Sequence, residues 1–374
     1  MIFMTPNRDP AAIVAHDLFT AFGAGPDPAW QALLEGRHSF VPCLRFHNKY
    51  LESFYGALSP ELDNETDHSG FFLHKLAPSI QPFADRAELL LAATVGEIEH
   101  LDDPRNRCTV NSLLDRALRT FQMKRGMAVS AACASGNAAI CRACSLLTAG
   151  RTECAAVFGS DSVSEFILSG FATLKAVSMS PLCRPYDRTR DGLLLGDAAG
   201  TVVLMSRSHA EKEGLSALGL VTGWGMSCDA AHITAPLSDG TALAQAIRQA
   251  LERAGRTPGE VGAVIGHGTG TAYNDIMEIR ALKQIFGDSS LPPLLSVKGS
   301  SGHTLACAGI VQLSAALSML RTGRIPPQTS LLEPEPEAGG MLSFRERRLE
   351  RNVILTMNSG FGGLNAVLLL EAAP

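Results

Sequence analysis

Apolar positions along the chain alternate between short buried runs and longer helical stretches, with glycine marking most of the joins. Ile13 and Val14 sit in an opening strand, followed by the turn Gly23 to Pro28 and a helix from Ala29 to Leu34 that Gly36 ends. Residues 37–85 mix aromatics with charges, as in Arg45 to Tyr50 and His68 to Lys75, and read as a loop-rich lid or interface. Ala84 to Val95 reads as helix by composition and spacing. Asn111 to Met123 reads as a second helix, Met127 to Ala132 as a strand, and Ser135 to Gly150 as a small-residue helix. Next come the strand Cys154 to Phe158, the helix Phe166 to Ala176, a turn-rich stretch to Gly192 and the strand Thr201 to Met205.

After a charged connector, Ser208 to Gly214, a similar order of elements restarts. It gives strands at Leu218 to Val221, Val261 to Ile265 and Leu294 to Val297, and helices at Leu243 to Ala254, Asp275 to Phe286 and Leu305 to Leu320. The helix at Asp275 opens on a candidate capping box, Asp275 with Glu278. Val353 to Met357 and Ala366 to Leu370 close the chain as strands. The alternation predicts an α/β fold with largely buried sheets, in an N-terminal half, residues 1–208, and a C-terminal half, residues 209–374.

At 374 residues with 46% hydrophobic content, the chain can bury a large core as two domains or one duplicated unit. No apolar run reads as a membrane span, and the first ten residues lack the basic-then-apolar order of a signal peptide, so the expected location is the cytoplasm. The net charge of -5 argues against a nucleic-acid protein. Nine scattered cysteines do not make a disulfide scaffold. Cys141 and Cys144 form a Cys-x-x-Cys inside a helix with no second pair at zinc spacing, so no metal site is expected.

Cys133 is different because it falls where a strand turns into a helix. Free N–H groups and the helix's partial positive charge favour a thiolate there, and Ala132, Ala134, Ser135 and Gly136 leave room for a bulky ligand. A buried structural cysteine in a small-residue helix is the alternative from this stretch alone. Two histidines end strands in the second half, in Gly266-His-Gly-Thr-Gly-Thr271 and Gly302-His-Thr-Leu-Ala306. A nucleophile with two nitrogen donors or bases is the equipment for thioester chemistry. The glycine spacing at 266, 268 and 270 falls short of a dinucleotide loop, since Thr271 stands where the third glycine would come.

The Ala132-Cys133-Ala-Ser-Gly stretch, Arg184 to Gly192 with Gly196 to Gly200, Gly223 to Asp229, His267 to Thr271, Lys298 with Gly302-His303, and Gly360 to Asn365 together resemble the β-ketoacyl-acyl carrier protein synthases, elongating condensing enzymes of the thiolase superfamily. The resemblance implies a layered αβαβα fold built from two similar halves. It also implies that Cys133 carries the acyl chain, with its own N–H and that of Phe361 as the oxyanion hole. His267 and His303 would hold the malonyl thioester and stabilise the enolate left by decarboxylation. Lys298 would tune the charge near His303, Thr269 and Thr271 would hold the phosphopantetheine arm, and Phe361 would gate the acyl pocket. Gln312, Asp275 and Glu278 would lie behind these groups. The family implies no bound cofactor, because phosphopantetheine arrives on the acyl carrier protein, and a homodimer or a heterodimer with a related subunit.

Three features depart from the family pattern. Gln312 replaces a glutamate, which reduces any Lys298 pairing to a neutral hydrogen bond, and Ser359 stands where an aromatic is usual. The stretch before Cys133 is short, which bears on dimer contacts and acyl length. These departures leave two further readings of the sequence, an acyltransferase on the same scaffold and a non-catalytic chain-length partner of another ketosynthase.

Overall fold

The computed structural model describes residues 9–46, 53–100 and 108–373. One mixed sheet runs through it. The first half supplies β1 (Ala11–Thr20), β2 (Glu88–Ala92), β3 (Gly126–Val129), β4 (Cys154–Asp161) and β5 (Ala198–Ser206). The second supplies β6 (Gly219–Cys228), β7 (Ala263–Ile265), β8 (Leu294–Leu295), β9 (Val353–Gly360) and β10 (Leu364–Glu371). Across the sheet the order is β8-β7-β9-β10-β6-β1-β5-β4-β2-β3.

The order is a repeat reflected about its middle. From β1 outward the pairings run antiparallel to β5, antiparallel to β4, parallel to β2 and parallel to β3. From β6 outward the same four relations connect β10, β9, β7 and β8. The halves join where β1 pairs with β6, Ala11 opposite Val221. The two similar halves expected from the order of elements are therefore present as matching strand topologies.

Between the half-sheets lie the helices Ser135–Thr148 and Ala308–Thr322, whose Ile140, Leu147, Ile310 and Leu313 share one core with Val157, Val202, Ile265 and Leu368 from the strands. Outer helices cover the other faces. His68–Ile80 and Val110–Phe121 pack on the first half, and Thr241–Ala254 and Ala272–Phe286 on the second. Five layers result, and strands covered on both faces read as near-continuous apolar runs.

Three local expectations change. Ala84 to Val95 is not a helix, because Glu88–Ala92 is strand β2. Leu90 and Ala92 feed the central core while Leu89 and Leu91 feed the outer one. A leucine run buried on both faces carries no period that separates strand from helix. His68 to Lys75 is not loop but the start of the helix His68–Ile80, capped where Asp67 accepts a hydrogen bond from Gly70 N at 2.9 Å. Residues 47–50 of that loop-rich stretch lie outside the described residues. Finally, Leu305–Thr322 is long and apolar enough to cross a membrane, contrary to the sequence expectation, and here 89% of it is buried in the central layer.

Candidate active site

Cys133 follows β3 through a sharp bend. Ala132 takes φ +49°, a conformation that costs a non-glycine residue on the order of 1–3 kcal/mol. Ser135 holds the bend, its hydroxyl accepting from Ala131 N at 2.9 Å and donating to Ala132 O at 2.6 Å. The helix Ser135–Thr148 starts with no side-chain cap; Ala134 N and Ser135 N turn back to Ala131 O and Ala132 O at 3.0 and 3.1 Å, and the backbone N–H that the sulfur meets is its own. The loop after β9 passes close by: a Cβ on Gly360 would lie 2.6 Å from Ala131 O and 3.2 Å from Cys133 N, which places Phe361 beside the sulfur.

The thiolate expected at the helix start is not the resting state. Cys133 is buried, and burial pushes its thiol up to about 12, with Lys298 opposing and Asp161 adding to the rise. The sulfur therefore rests as a thiol.

His267 and His303 meet from β7 and from the turn before the Ala308–Thr322 helix, their ring centroids 5.2 Å apart and nearly perpendicular. Burial, and after it the Lys298 charge, holds both imidazoles well below their ordinary value, so both are neutral. Their tautomers follow from their partners. His303 Nδ1 accepts from Leu305 N at 3.2 Å. His267 Nδ1 faces Asn358 Nδ2 at 3.1 Å and Lys298 Nζ at 3.2 Å, both donors. Each ring thus carries its proton on Nε2.

Lys298 donates to the His267 carbonyl and ring, and its charge also reaches His303 through space. Gln312 makes no hydrogen bond to Lys298. Its Nε2 donates to Gly266 O at 2.7 Å and Met357 O at 3.3 Å, tying the ends of β7 and β9 together. The capping box is also overturned. The helix begins at Ala272 after Thr271, and Asp275 and Glu278 lie one turn inside it, fully buried. They serve the histidine loop instead: Glu278 accepts from His267 N at 2.7 Å, Gly268 N at 2.8 Å and Tyr186 Oη at 2.9 Å, and Asp275 from Thr269 N at 3.0 Å and Tyr186 N at 2.8 Å. Burial raises both carboxyls, and these N–H donors pull against it.

A cavity of about 430 Å³ is lined by Cys133, His267, His303, Thr269, Thr271 and Phe361 together. The threonine hydroxyls bond each other at 2.9 Å, and the Phe361 ring lies tilted with its centroid 5.6 Å from that of Phe171, which in turn lies 6.3 Å from His303.

Sequence reasoning missed Asp161, Asn358 and Phe171. Asp161 ends β4 and accepts from Ala306 N at 2.7 Å and Thr94 Oγ1 at 2.9 Å, bracing the turn behind His303. The one signal for it was a charged residue closing an otherwise apolar strand. Cys141 and Cys144 are buried free thiols in the central layer. Among the described residues the side chains that could gather a metal are Asp67, Glu99 and His100, none of them predicted, and Asp67 is already paired with Arg116.

A buried thiol at a helix start, facing two neutral imidazole N–H donors inside a duplicated α/β fold, defines a site for acyl transfer through a thioester. Comparison with known proteins agrees. Residues 125–210 match the β-ketoacyl synthase N-terminal domain and residues 218–332 the C-terminal domain. The chain belongs to the β-ketoacyl synthase family. It is 28% identical over 405 residues to 3-oxoacyl-acyl-carrier-protein synthase 2 of Vibrio cholerae serotype O1, covering 96% of this chain and 98% of that protein. It is 32% identical over 248 residues to the chloroplastic 3-oxoacyl-acyl-carrier-protein synthase I of Hordeum vulgare, where the match covers 64% of this chain and only 54% of the barley protein. Among solved structures, the ishigamide ketosynthase/chain length factor superposes with a TM-score of 0.88 at 25% identity, over 98% of this chain and all of that one.

Proposed function

We propose that the protein is a decarboxylative condensing enzyme acting on carrier-protein thioesters, of the fatty-acid or type II polyketide kind. The observation that carries this reading is the convergence of Cys133, His267 and His303 on one cavity. In the first step the Cys133 sulfur attacks an acyl thioester, the carrier thiol leaves with the proton, and the acyl group stays on Cys133. The tetrahedral oxyanion would be received by the N–H groups of Cys133 and Phe361. Malonyl carrier protein then enters, its phosphopantetheine arm beside Thr269 and Thr271. Loss of CO2 leaves negative charge on the thioester oxygen, and the Nε2–H groups of His267 and His303 stabilise it. One such donor in a water-poor site is worth about 3 kcal/mol. The enolate carbon attacks the acyl-Cys133 carbonyl, a C–C bond forms as the C–S bond breaks, the β-ketoacyl product leaves, and the released Cys133 thiolate takes a proton from solvent to return to the thiol.

The raised thiol sharpens this reading. An inert resting sulfur gains charge only as it attacks, within reach of the Lys298 charge and its own backbone N–H. Carrier protein is the partner we expect, together with a second ketosynthase-like subunit. Supporting this, solved structural neighbours include a type II acyl carrier protein in complex with its ketosynthase and a ketosynthase in complex with its chain length factor.

The test is intact-mass measurement after exposure to acyl carrier proteins, followed by malonyl carrier protein. An acyl mass on Cys133 and then a β-ketoacyl product are expected. An acyl mass that persists in Cys133→Ala would sink the assignment, and ester or amide formation without CO2 would make the protein an acyltransferase.

A further inference from the structure

Two separate cavities flank the helix Glu165–Thr173. The first is the one that holds Cys133, His267 and His303, and it meets this helix at Phe171. The second, of about 630 Å³, is lined by Val163, Ser164, Phe166 and Ser169, with Phe46 and Ile98 from other segments. One apolar cluster fills the space between them. Cys133 and Phe171 belong to it on the side of the first cavity, Val163 on the side of the second, while Ile167, Leu168 and Leu305 belong to it and line neither.

An apolar chain attached to Cys133 is driven toward apolar surroundings, and this cluster is the apolar material packed with the sulfur. Elsewhere the cavity lining carries charges, among them Lys175, Arg190, Asp191 and Asp229. Phe361 is 36% exposed and free to turn aside, whereas Phe171 is 8% exposed and its helix is tied at both ends. Ser164 Oγ accepts from Ile167 N at 3.4 Å at the start, and Ala176 N donates to Phe171 O at 3.0 Å at the close. Ile167 stands one turn before Phe171 on the same helix face and is buried as well. A chain that grows past Phe361 therefore meets a packed wall, and each further methylene has to displace core atoms.

We propose that Phe171 and Ile167 set the length of the group that Cys133 carries, and that they restrict it to short, straight acyl chains. Room for a longer chain lies behind the wall, in the second cavity, so removing side-chain volume at either residue opens a way toward it. The proposal rests on the condensing reading for the nature of the group, an acyl chain. The wall itself is a property of the packing, and any chain joined to the sulfur can probe it.

The test uses n-alkyl methanethiosulfonates, which join an alkylthio group to a thiol: an S–S bond forms as methanesulfinate leaves, and the thiol proton goes to solvent. Labelling by the methyl, butyl, octyl and dodecyl reagents is read by peptide mass at Cys133 and at Cys228, which is exposed and serves as the reference in the same sample. The ratio of Cys133 to Cys228 labelling should be similar for methyl and butyl and fall by about 10-fold or more at octyl. Phe171→Ala and Ile167→Ala should each recover most of that loss, and Ile167→Ala, the smaller cut, decides the matter if Phe171→Ala does not fold. Octyl labelling equal to butyl in the wild type, or an unchanged loss in folded Ile167→Ala, would overturn the proposal. Loading from short- and long-chain acyl carrier proteins on the same samples separates the two ideas. A length limit in alkyl labelling without acyl transfer leaves the wall standing and removes the condensing reading, whereas equal acyl transfer at every length removes the wall and leaves that reading in place.

Discussion

Ala132 and Leu305 hold nearly the same backbone angle, φ +49° and +47°, and each precedes a central helix at the end of the third strand of its half. The starts of the two central helices approach closely there. A Cβ on Gly136 would fall 2.7 Å from Ala306 O, and one on Gly309 would fall 2.5 Å from Asn137 N. After the first bend comes Cys133, facing the cavity with few polar neighbours. After the second comes Ala306, whose N–H goes to Asp161 of the other half, while Leu305 N fixes the ring of His303. One bend displays a side chain; the other uses its backbone to orient one. A nucleophile needs access and open N–H groups, whereas a charge-stabilising donor needs a fixed direction, and the duplicated frame supplies each need once.

If that division is real, removing the displayed group and removing an oriented group must fail differently. Cys133→Ala should lose acyl loading and condensation by at least about 10³-fold, because no other group can form the thioester. It should keep CO2 release from malonyl carrier protein, which needs only the histidine side. Parallel mass and CO2 measurements check this, and loss of both activities in a folded variant would contradict the separation.

His303→Ala should reverse the pattern. Acyl mass should still accumulate on Cys133, while CO2 release falls by roughly 10²–10³-fold, the value of one preorganised donor. The pH profile adds a sign. Both histidines sit well below their ordinary value, so their neutral form persists through the neutral range and is lost only under more acidic conditions. The acid limb of CO2 release should therefore lie below about 6.5, the ordinary histidine value. A limb at that value would mean that the rings are better solvated than their burial indicates.

How much of this contrast could be read from the sequence follows from what is local. Cys133, His267 and His303 stand out because each is a reactive residue at a strand end among small residues and glycines, which is visible in a few neighbouring letters. A similar order of elements in the two halves was legible too, but the matching strand order was not, because β2 reads as helix. What could not be read depends on contacts between distant residues. Asp161 and Ala306 are 145 positions apart, and Lys298 reaches His267 rather than the nearer His303. Asp275 and Glu278 have capping-box spacing, and only the buried loop packed over them shows that their oxygens serve His267, Gly268 and Thr269. The leucines of β2 misled because burial on both faces erases the period on which a helix or strand assignment rests.

The close approach of the two helices gives a stability test. Gly309→Ala pushes a methyl group against Asn137 backbone, and Gly136→Ala pushes one against Ala306 O, in both cases with no flexible side chain to yield. Each should cost about 1–3 kcal/mol, read as a lower midpoint in denaturant melts. If the seam fixes cysteine and histidines relative to each other, the two variants should lose condensation more than CO2 release. Equal losses would show that the seam only holds the fold.

The smallest effect is expected at the loop that carries Phe361. Ser359 Oγ donates to Asn365 Oδ1 at 2.7 Å, Asn365 Nδ2 donates to Asp229 Oδ1 at 2.7 Å, and Asp229 accepts from Leu237 N at 2.8 Å through its other oxygen. This chain fastens the Phe361 loop to residues 229–237 on the cavity rim, and it starts from the serine that departs from the family's aromatic. Ser359→Ala removes one neutral hydrogen bond, worth about 0.5–1.5 kcal/mol, and so should favour loop opening by about 2- to 10-fold. If Phe361 gates the pocket as the family resemblance implies, acyl loading of Cys133 should speed up within that range, while CO2 release, which depends on the oriented rings, stays within about 2-fold. Stopped mixing with acyl carrier protein measures the first and CO2 trapping the second. A slower loading step would mean that the serine guides the acyl chain rather than restraining the loop, and the cysteine side would then rely on polar support after all.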